Sequence, residues 1–415
     1  MPTILYFFRR RVENRQILAV IKVYSRMSYA GTLSAHDADA HIMETPELLR
    51  SFADPAIREL MTNQTFAGLV GGEGSTGQIA ELRAAHVDPT YRERDQAELM
   101  SRKNWAATGS FIKEERPKAL DLLGFKSQLM FNTFWSGYLL ELERTGDIGL
   151  LYGAARAHNR AMLDFCSVDK RLLPTCYVPL VDFAAAEEVT AQAIRDGAKA
   201  LLIPSACPPQ HSPSHVSLFG VWRRAEESGV PMVMHVGGGG ELLHPSYFTN
   251  GMPPVKDFHG GAENFRSVDY MAIPVPPAQT LATLLIDGVL EQFPTLKIGI
   301  IEQGAVWIPS FMRQLESAFE AFRRHEDRLQ ALSLRPSEYI QRQVRATPYP
   351  TEDVGWIMAQ GCEDICMFSS DYPHVEGGRN PIKRFEAHLA DTSALTRQKF
   401  YHDNFVDLMG SALDA

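Results

Sequence analysis

"VPMVMH", residues 230–235, sets five apolar residues before a histidine. A run this short, preceded by Gly229 and followed by four consecutive glycines (237–240), suits a strand buried on both faces better than a helix. Just upstream, "SLFGVWRRAEESG" (217–229) reads as an amphipathic helix stopped by its terminal glycine. A helix feeding a buried strand is the repeating unit of a parallel sheet.

Working outward, the same alternation recurs. Candidate strands are 32–39, 127–132, 174–180, 199–205, 230–235, 296–302, 342–348 and 365–371. Between them lie helical stretches such as "AAAEEVTAQAIRDGA" (184–198), which ends at Asp-Gly, and "PPAQTLATLLIDGVLEQFP" (276–294), stopped by Pro294. Eight buried strands alternating with helices predict an α/β fold, a (β/α)8 TIM barrel rather than an open doubly wound sheet. No Gly-x-Gly-x-x-Gly follows the first strand. A barrel needs only about 250 residues, so this chain of 415 must carry long insertions, placed after strands 1 and 5 at 42–115 and 236–275. Loops of that length are expected to be lids or binding loops. Residues 32–415 are taken as one domain, and 1–31 as an N-terminal extension or the product of a start placed ahead of Met27.

Composition narrows the function classes. Hydrophobic residues at 45% and charged residues at 22% fit a globular protein. A net charge of -9 argues against nucleic acid as a partner, and no apolar run approaches the length of a membrane span. Five irregularly spaced cysteines fit a reducing compartment, so the expectation is cytoplasmic. Cys362 and Cys366 have no second pair beside them and are read as packing residues.

In a barrel the chemistry gathers at the carboxyl ends of the strands. Strand 1 ends in Asp39-Ala40-His41, whose i, i+2 spacing puts both side chains on one face. Asp37 shares that face one layer deeper, and His36 points away. Strand 5 ends in His235, strand 6 in Glu302 and strand 8 in Asp371, with His374 close behind. Each alone reads as a loop or cap residue. Together they bring two histidines and three carboxylates to one barrel mouth, where unpaired carboxylates are costly and a divalent cation is the natural partner. Asp39, His41, His235 and Asp371 are the expected ligands of one ion. Zinc leads, and manganese, iron and cobalt also suit imidazole and carboxylate. Glu302 would face the open coordination position. Glu44 and His374 are candidates to orient the ligands or meet substrate. Arg345, on strand 7, could meet a substrate carboxylate or sit in a buried ion pair. His244 and His259 fall in the second insertion and read as solvated loop residues.

The same stretches resemble the amidohydrolase-2 group of the metal-dependent amidohydrolases, which includes aminocarboxymuconate-semialdehyde and γ-resorcylate decarboxylases. The resemblance rests on "DADAHIMETPEL" (37–48), "AHNRAMLDFCSVDKRLLPTCYVPLVD" (157–182), "AKALLIPS" (198–205), "VWRRAEESGVPMVMHVGG" (221–238), "FPTLKIGIIEQGAVWIP" (293–309) and "FSSDYPHVEG" (368–377), in family order. It implies a barrel with a single divalent metal, a small-molecule substrate and a homodimer. Two positions depart from the pattern. Asp39 stands where many relatives have His or Glu, and Glu302 stands where decarboxylase relatives carry the histidine of His-Gly-Gly. The expectation is therefore a metal-dependent hydrolase that activates water, with Glu302 or Asp371 moving the proton. The alternative is non-oxidative decarboxylation of a hydroxylated aromatic or conjugated acid.

Overall fold

The computed structural model describes residues 28–61, 76–253 and 267–414. Most of the proposed N-terminal extension, the centre of the first insertion, and His259 lie outside the described residues.

Seven strands pair in parallel in sequence order: β1 Asp37–His41, β2 Gln128–Phe131, β3 Leu172–Tyr177, β4 Ala200–Leu202, β5 Met232–His235, β6 Ile298–Ile301 and β7 Val344–Ala346. Every strand residue is buried, as in parallel strands covered on both faces. The helices that matter below are α1 Arg116–Leu123, α2 Trp135–Thr145, α3 Ile148–Cys166, α4 Phe183–Asp196, α5 Phe219–Ser228, α6 Val275–Ile286, α7 Ile308–Phe322 and α8 Asn404–Met409. Local chemistry explains their ends. Asp182 caps α4 by accepting from the Ala185 N–H, and Gly197 closes it with φ 104°.

Two expectations need correction. The helix expected over 276–294 is two helices, because Gly288 adopts φ 82° and a short second helix, Val289–Gln292, restarts after it. The eighth strand expected at 365–371 is reduced to single bridges, Cys366 to Ala346 and Tyr372 to Ala40. Those bridges still tie the segment to both edges of the sheet, giving a curled, TIM-barrel-like arrangement. Ala346 N–H donates to Ile365 O at 2.9 Å, and His41 N–H to Tyr372 O at 2.8 Å. In between, Ser370 gives its N–H to the Asp37 carboxylate rather than to a neighbouring strand. A side chain has taken the place of a ladder partner.

Candidate metal centre

Strand 1 is irregular where it matters, since its register against β2 shifts between Asp37 and Ala40. The shift leaves the Asp39 carboxylate 3.1 Å from His41 Nε2. From β5, His235 brings its Nε2 to 3.4 Å from the same Asp39 oxygen. Glu302, just past β6, lies 3.2 Å from His235 Nε2 and 3.8 Å from His41 Nε2. Asp371 approaches His41 Nε2 at 3.6 Å and His374 Nδ1 at 2.9 Å. All six side chains are buried.

The tautomers follow from the other ring nitrogens. His41 Nδ1 is 2.9 Å from Asn132 O, and His235 Nδ1 is 2.9 Å from Val236 O. A carbonyl only accepts, so each Nδ1 carries a hydrogen, and neutral His41 is left with a lone pair on Nε2. That lone pair faces the Asp39, Glu302 and Asp371 carboxylates, which also only accept. His41 Nε2, Asp39 Oδ2 and both Asp371 oxygens are buried without a hydrogen-bond partner. Acceptors packed this closely require a positive charge among them. The residues therefore fit a cation. Among the described residues two overlapping groups of four could hold one: Asp39, His41, His235 and Glu302, or His41, Glu302, Asp371 and His374.

The electrostatics agree. His235 is raised well above the ordinary histidine range; burial opposes this, and the Asp39 and Glu302 carboxylates overcome it. Burial, with His374 adding to it, pulls His41 down to about 4. Burial pushes Asp371 up to about 7, helped by the nearby Asp39 charge. In His41 and Asp371 desolvation outweighs neighbours of mixed charge, and in His235 the two carboxylates outweigh desolvation.

Backbone strain marks the same residues. Glu302 and Asp371 both adopt left-handed backbone, φ 52° and 53°, a region non-glycine residues occupy only when their surroundings hold them there. Glu302 is held from both sides: its N–H donates to Thr347 Oγ1 at 2.8 Å, and its carbonyl accepts from Tyr349 O–H at 2.7 Å. Asp371 donates its N–H to Asp39 O at 3.0 Å. Asp39, Glu302, Tyr349, Ser370, Asp371 and Glu376 line a narrow cavity of about 20 Å³.

The arrangement differs from expectation in detail. Glu302 is not set apart from the ligands but sits as close to the imidazoles as they do. Glu44 stays out of the cluster and accepts from the N–H groups of Thr133, Phe134 and Trp135, capping the turn into α2. That turn carries the Asn132 carbonyl that orients His41, and the Thr133 hydroxyl 2.8 Å from His374 Nε2. Arg345 takes the ion-pair alternative and not the substrate one: its guanidinium is bound to Asp407 on α8 and to the Gln341 and Val344 carbonyls. His36 packs on the far side of the strand, stacked on Phe405. His244 is exposed, as a solvated loop residue should be. Sequence reasoning missed Thr133, Thr347 and Tyr349, whose roles depend on contacts 45 or more residues away.

An amidohydrolase family model, that of the amidohydrolase-2 group, matches residues 137–407, well over half of the chain. The chain belongs to the amidohydrolase-2 family. No curated protein matches it in sequence. Solved structures share the fold of this amidohydrolase at low identity. An amidohydrolase of Mycobacterium avium subsp. paratuberculosis K-10 superposes with a TM-score of 0.69 at 21% identity, covering 91% of this chain and 100% of the other. A 5-carboxyvanillate decarboxylase of Novosphingobium aromaticivorans DSM 12444, with bound manganese and 4-hydroxy-3-methoxy-5-nitrobenzoic acid, gives 0.60 at 15% identity over 92% and 98%. A 2,6-dihydroxybenzoate decarboxylase from Rhizobium gives 0.55 at 15% identity over 92% and 100%. Among the described residues, no helix is long and apolar enough to cross a membrane.

Proposed function

We propose that this amidohydrolase is a divalent-metal-dependent decarboxylase of a small hydroxylated aromatic acid, built as a (β/α)8 barrel with long insertions after strands 1 and 5. The observation that carries the reading is the buried cluster of Asp39, His41, His235 and Asp371, four of whose acceptor atoms have no donor, beside a small cavity. These four residues would hold the ion, manganese or zinc, with His374 and Glu44 supporting them. Bound there, a divalent ion supplies the positive charge against which a substrate carboxylate and its neighbouring hydroxyl can dock. Glu302, as the carboxylic acid, gives its proton to the ring carbon. The electron pair of the breaking carbon–carbon bond stays on that carbon, and carbon dioxide leaves. The straps from Thr347 and Tyr349 keep the Glu302 carboxyl aimed at the cavity through its backbone. Two structural neighbours that are decarboxylases of benzoates add weight to this reading.

Hydrolysis is the second reading, and Glu302 itself favours it. A carboxylate beside a cation is more readily a base than an acid, because positive charge holds it ionised. It would then take a proton from water and return it to the leaving group.

The deciding experiment reconstitutes the chain with manganese and offers it 2,6-dihydroxybenzoate and 5-carboxyvanillate beside a panel of esters, lactones and amides. Carbon dioxide release without hydrolysis is the expected result. Turnover of the panel with no carbon dioxide would overturn decarboxylation in favour of hydrolysis.

A further inference from the structure

Beneath the cluster lies a charged residue that the mechanism does not use. Arg116, at the start of α1, is fully buried, and among the described residues no carboxylate touches its guanidinium. A buried, unpaired guanidinium is costly unless its donors are met. Here they are met by a specific set. Nη1 donates to the backbone carbonyl of His41 at 2.8 Å and to that of Gly109 at 3.2 Å. Nε donates to Gln128 Oε1 at 3.1 Å, and the guanidinium lies 5.1 Å from the centre of the Tyr372 ring. Gly109 is needed for this approach, since its φ is 68° and a Cβ there would meet the Arg116 Cα at 2.5 Å.

The chain of contacts continues. Gln128 Nε2 donates to Asp37 Oδ2 at 2.8 Å. Asp37 then accepts from the Ser370 N–H and from the Ser370 hydroxyl, both at 2.7 Å. Ser370 precedes Asp371, and Tyr372 follows it. One polar chain thus runs from the His41 backbone through Arg116, Gln128 and Asp37 to the residue beside Asp371. Asp37 accepts four hydrogen bonds, the fourth from the Asp39 N–H at 3.4 Å. Arg116 lies one glutamine away.

We propose that Arg116, Gln128 and Asp37 are positioning residues: a buried, glutamine-bridged hydrogen-bond chain that fixes the strand-1 ligands Asp39 and His41 relative to Asp371. Three backbone bonds tie the strand-8 segment to strand 1: Ala38 N–H to Phe368 O, Asp371 N–H to Asp39 O and His41 N–H to Tyr372 O. The buried chain braces that short pairing from beneath, where no longer ladder supports it. The inference rests on the metal-centre reading above and not on which reaction follows.

Manganese affinity and stoichiometry of the full chain, by titration calorimetry, test it alongside melting of the metal-free protein. Arg116→Lys and Ser370→Ala keep a charge or a volume in place and remove part of the chain. Each is expected to weaken manganese binding about 10- to 100-fold, the usual cost of losing an outer partner of a ligand. Asp37→Asn combined with Arg116→Met should weaken it no more than the worse single change, because both break one chain. A merely structural role predicts lower melting temperatures with manganese affinity within twofold of wild type, and that result overturns the proposal. If Arg116→Met does not fold, Ser370→Ala decides alone, since it deletes only one hydroxyl. Wild type that binds no manganese would instead sink the metal-centre reading itself.

Discussion

Two buried polar clusters sit at the carboxyl ends of neighbouring strands, and they are built on opposite terms. Beside β2 and β3, His158 is 2.9 Å from both Asn132 Oδ1 and Asn159 Oδ1. Asn159 in turn donates to Tyr177 O and accepts from Tyr177 N–H, while the Tyr177 hydroxyl donates to Glu143 at 3.0 Å. Donors there meet acceptors except at His158, which burial keeps neutral, so that its single hydrogen serves one of the two amide oxygens. Around β1, β5 and the 365–372 segment, Asp39, His41 and Asp371 present acceptors to acceptors. The first cluster is short of one hydrogen, holds no group of ligands able to bind an ion, and serves the fold. The second is complete only with an added positive charge, and it is the one next to the cavity. A polar network is informative about function when its own atoms fail to satisfy it.

The largest way to test that contrast is metal removal. Chelation should abolish turnover, and added manganese should restore it. Ligand binding to the native state alone stabilises by about 2.7 kcal/mol at 100 times Kd, so the melting temperature should fall by several degrees on chelation. An unchanged melting temperature with full activity in chelator would erase the distinction between the two clusters. Next in size is Glu302→Gln. It keeps the side chain's shape and the straps from Thr347 and Tyr349 but cannot carry a proton. Turnover should fall roughly 10²- to 10⁴-fold with manganese still bound, as steady-state rates and metal analysis would show. Near-wild-type rates would remove Glu302 from the proton transfer.

The same contrast explains what could be read in advance. Asp39, His41, His235, Glu302 and Asp371 were legible because each follows an apolar run, and period-2 alternation says where such side chains point. The partners that complete the centre carried no such signal. Arg116 sits in "EERPKALD", where a charged residue defaults to solvent, yet it is fully buried against a carbonyl 75 residues away. The eighth strand was overestimated for a related reason. Its apolar pattern is real, but the Asp37 carboxylate claims the Ser370 N–H, and Asp371 turns left-handed. The break at Gly288 was a different failure, since Asp287-Gly288 is the same stop that ends α4 at Asp196-Gly197. There the amphipathic pattern outweighed a local signal that was present.

The smallest prediction concerns the first cluster. Burial pushes Glu143 up to about 7, and its hydrogen bond from Tyr177 only partly offsets this. A carboxyl raised in the folded state stabilises in its protonated form. That contribution is fully present below the unfolded value near 4.5 and is lost as pH rises through about 7. Wild-type stability should therefore decline across that window by as much as about 3 kcal/mol from this group alone. Glu143→Gln keeps an acceptor for the Tyr177 hydroxyl and carries no charge to desolvate. Urea unfolding at a series of pH values should show a flatter profile for the variant, with the variant the more stable protein at pH 8. Manganese affinity should not move, because no residue of this cluster belongs to a group able to hold the ion. A variant that lost manganese along with its pH dependence would show that the two clusters are one.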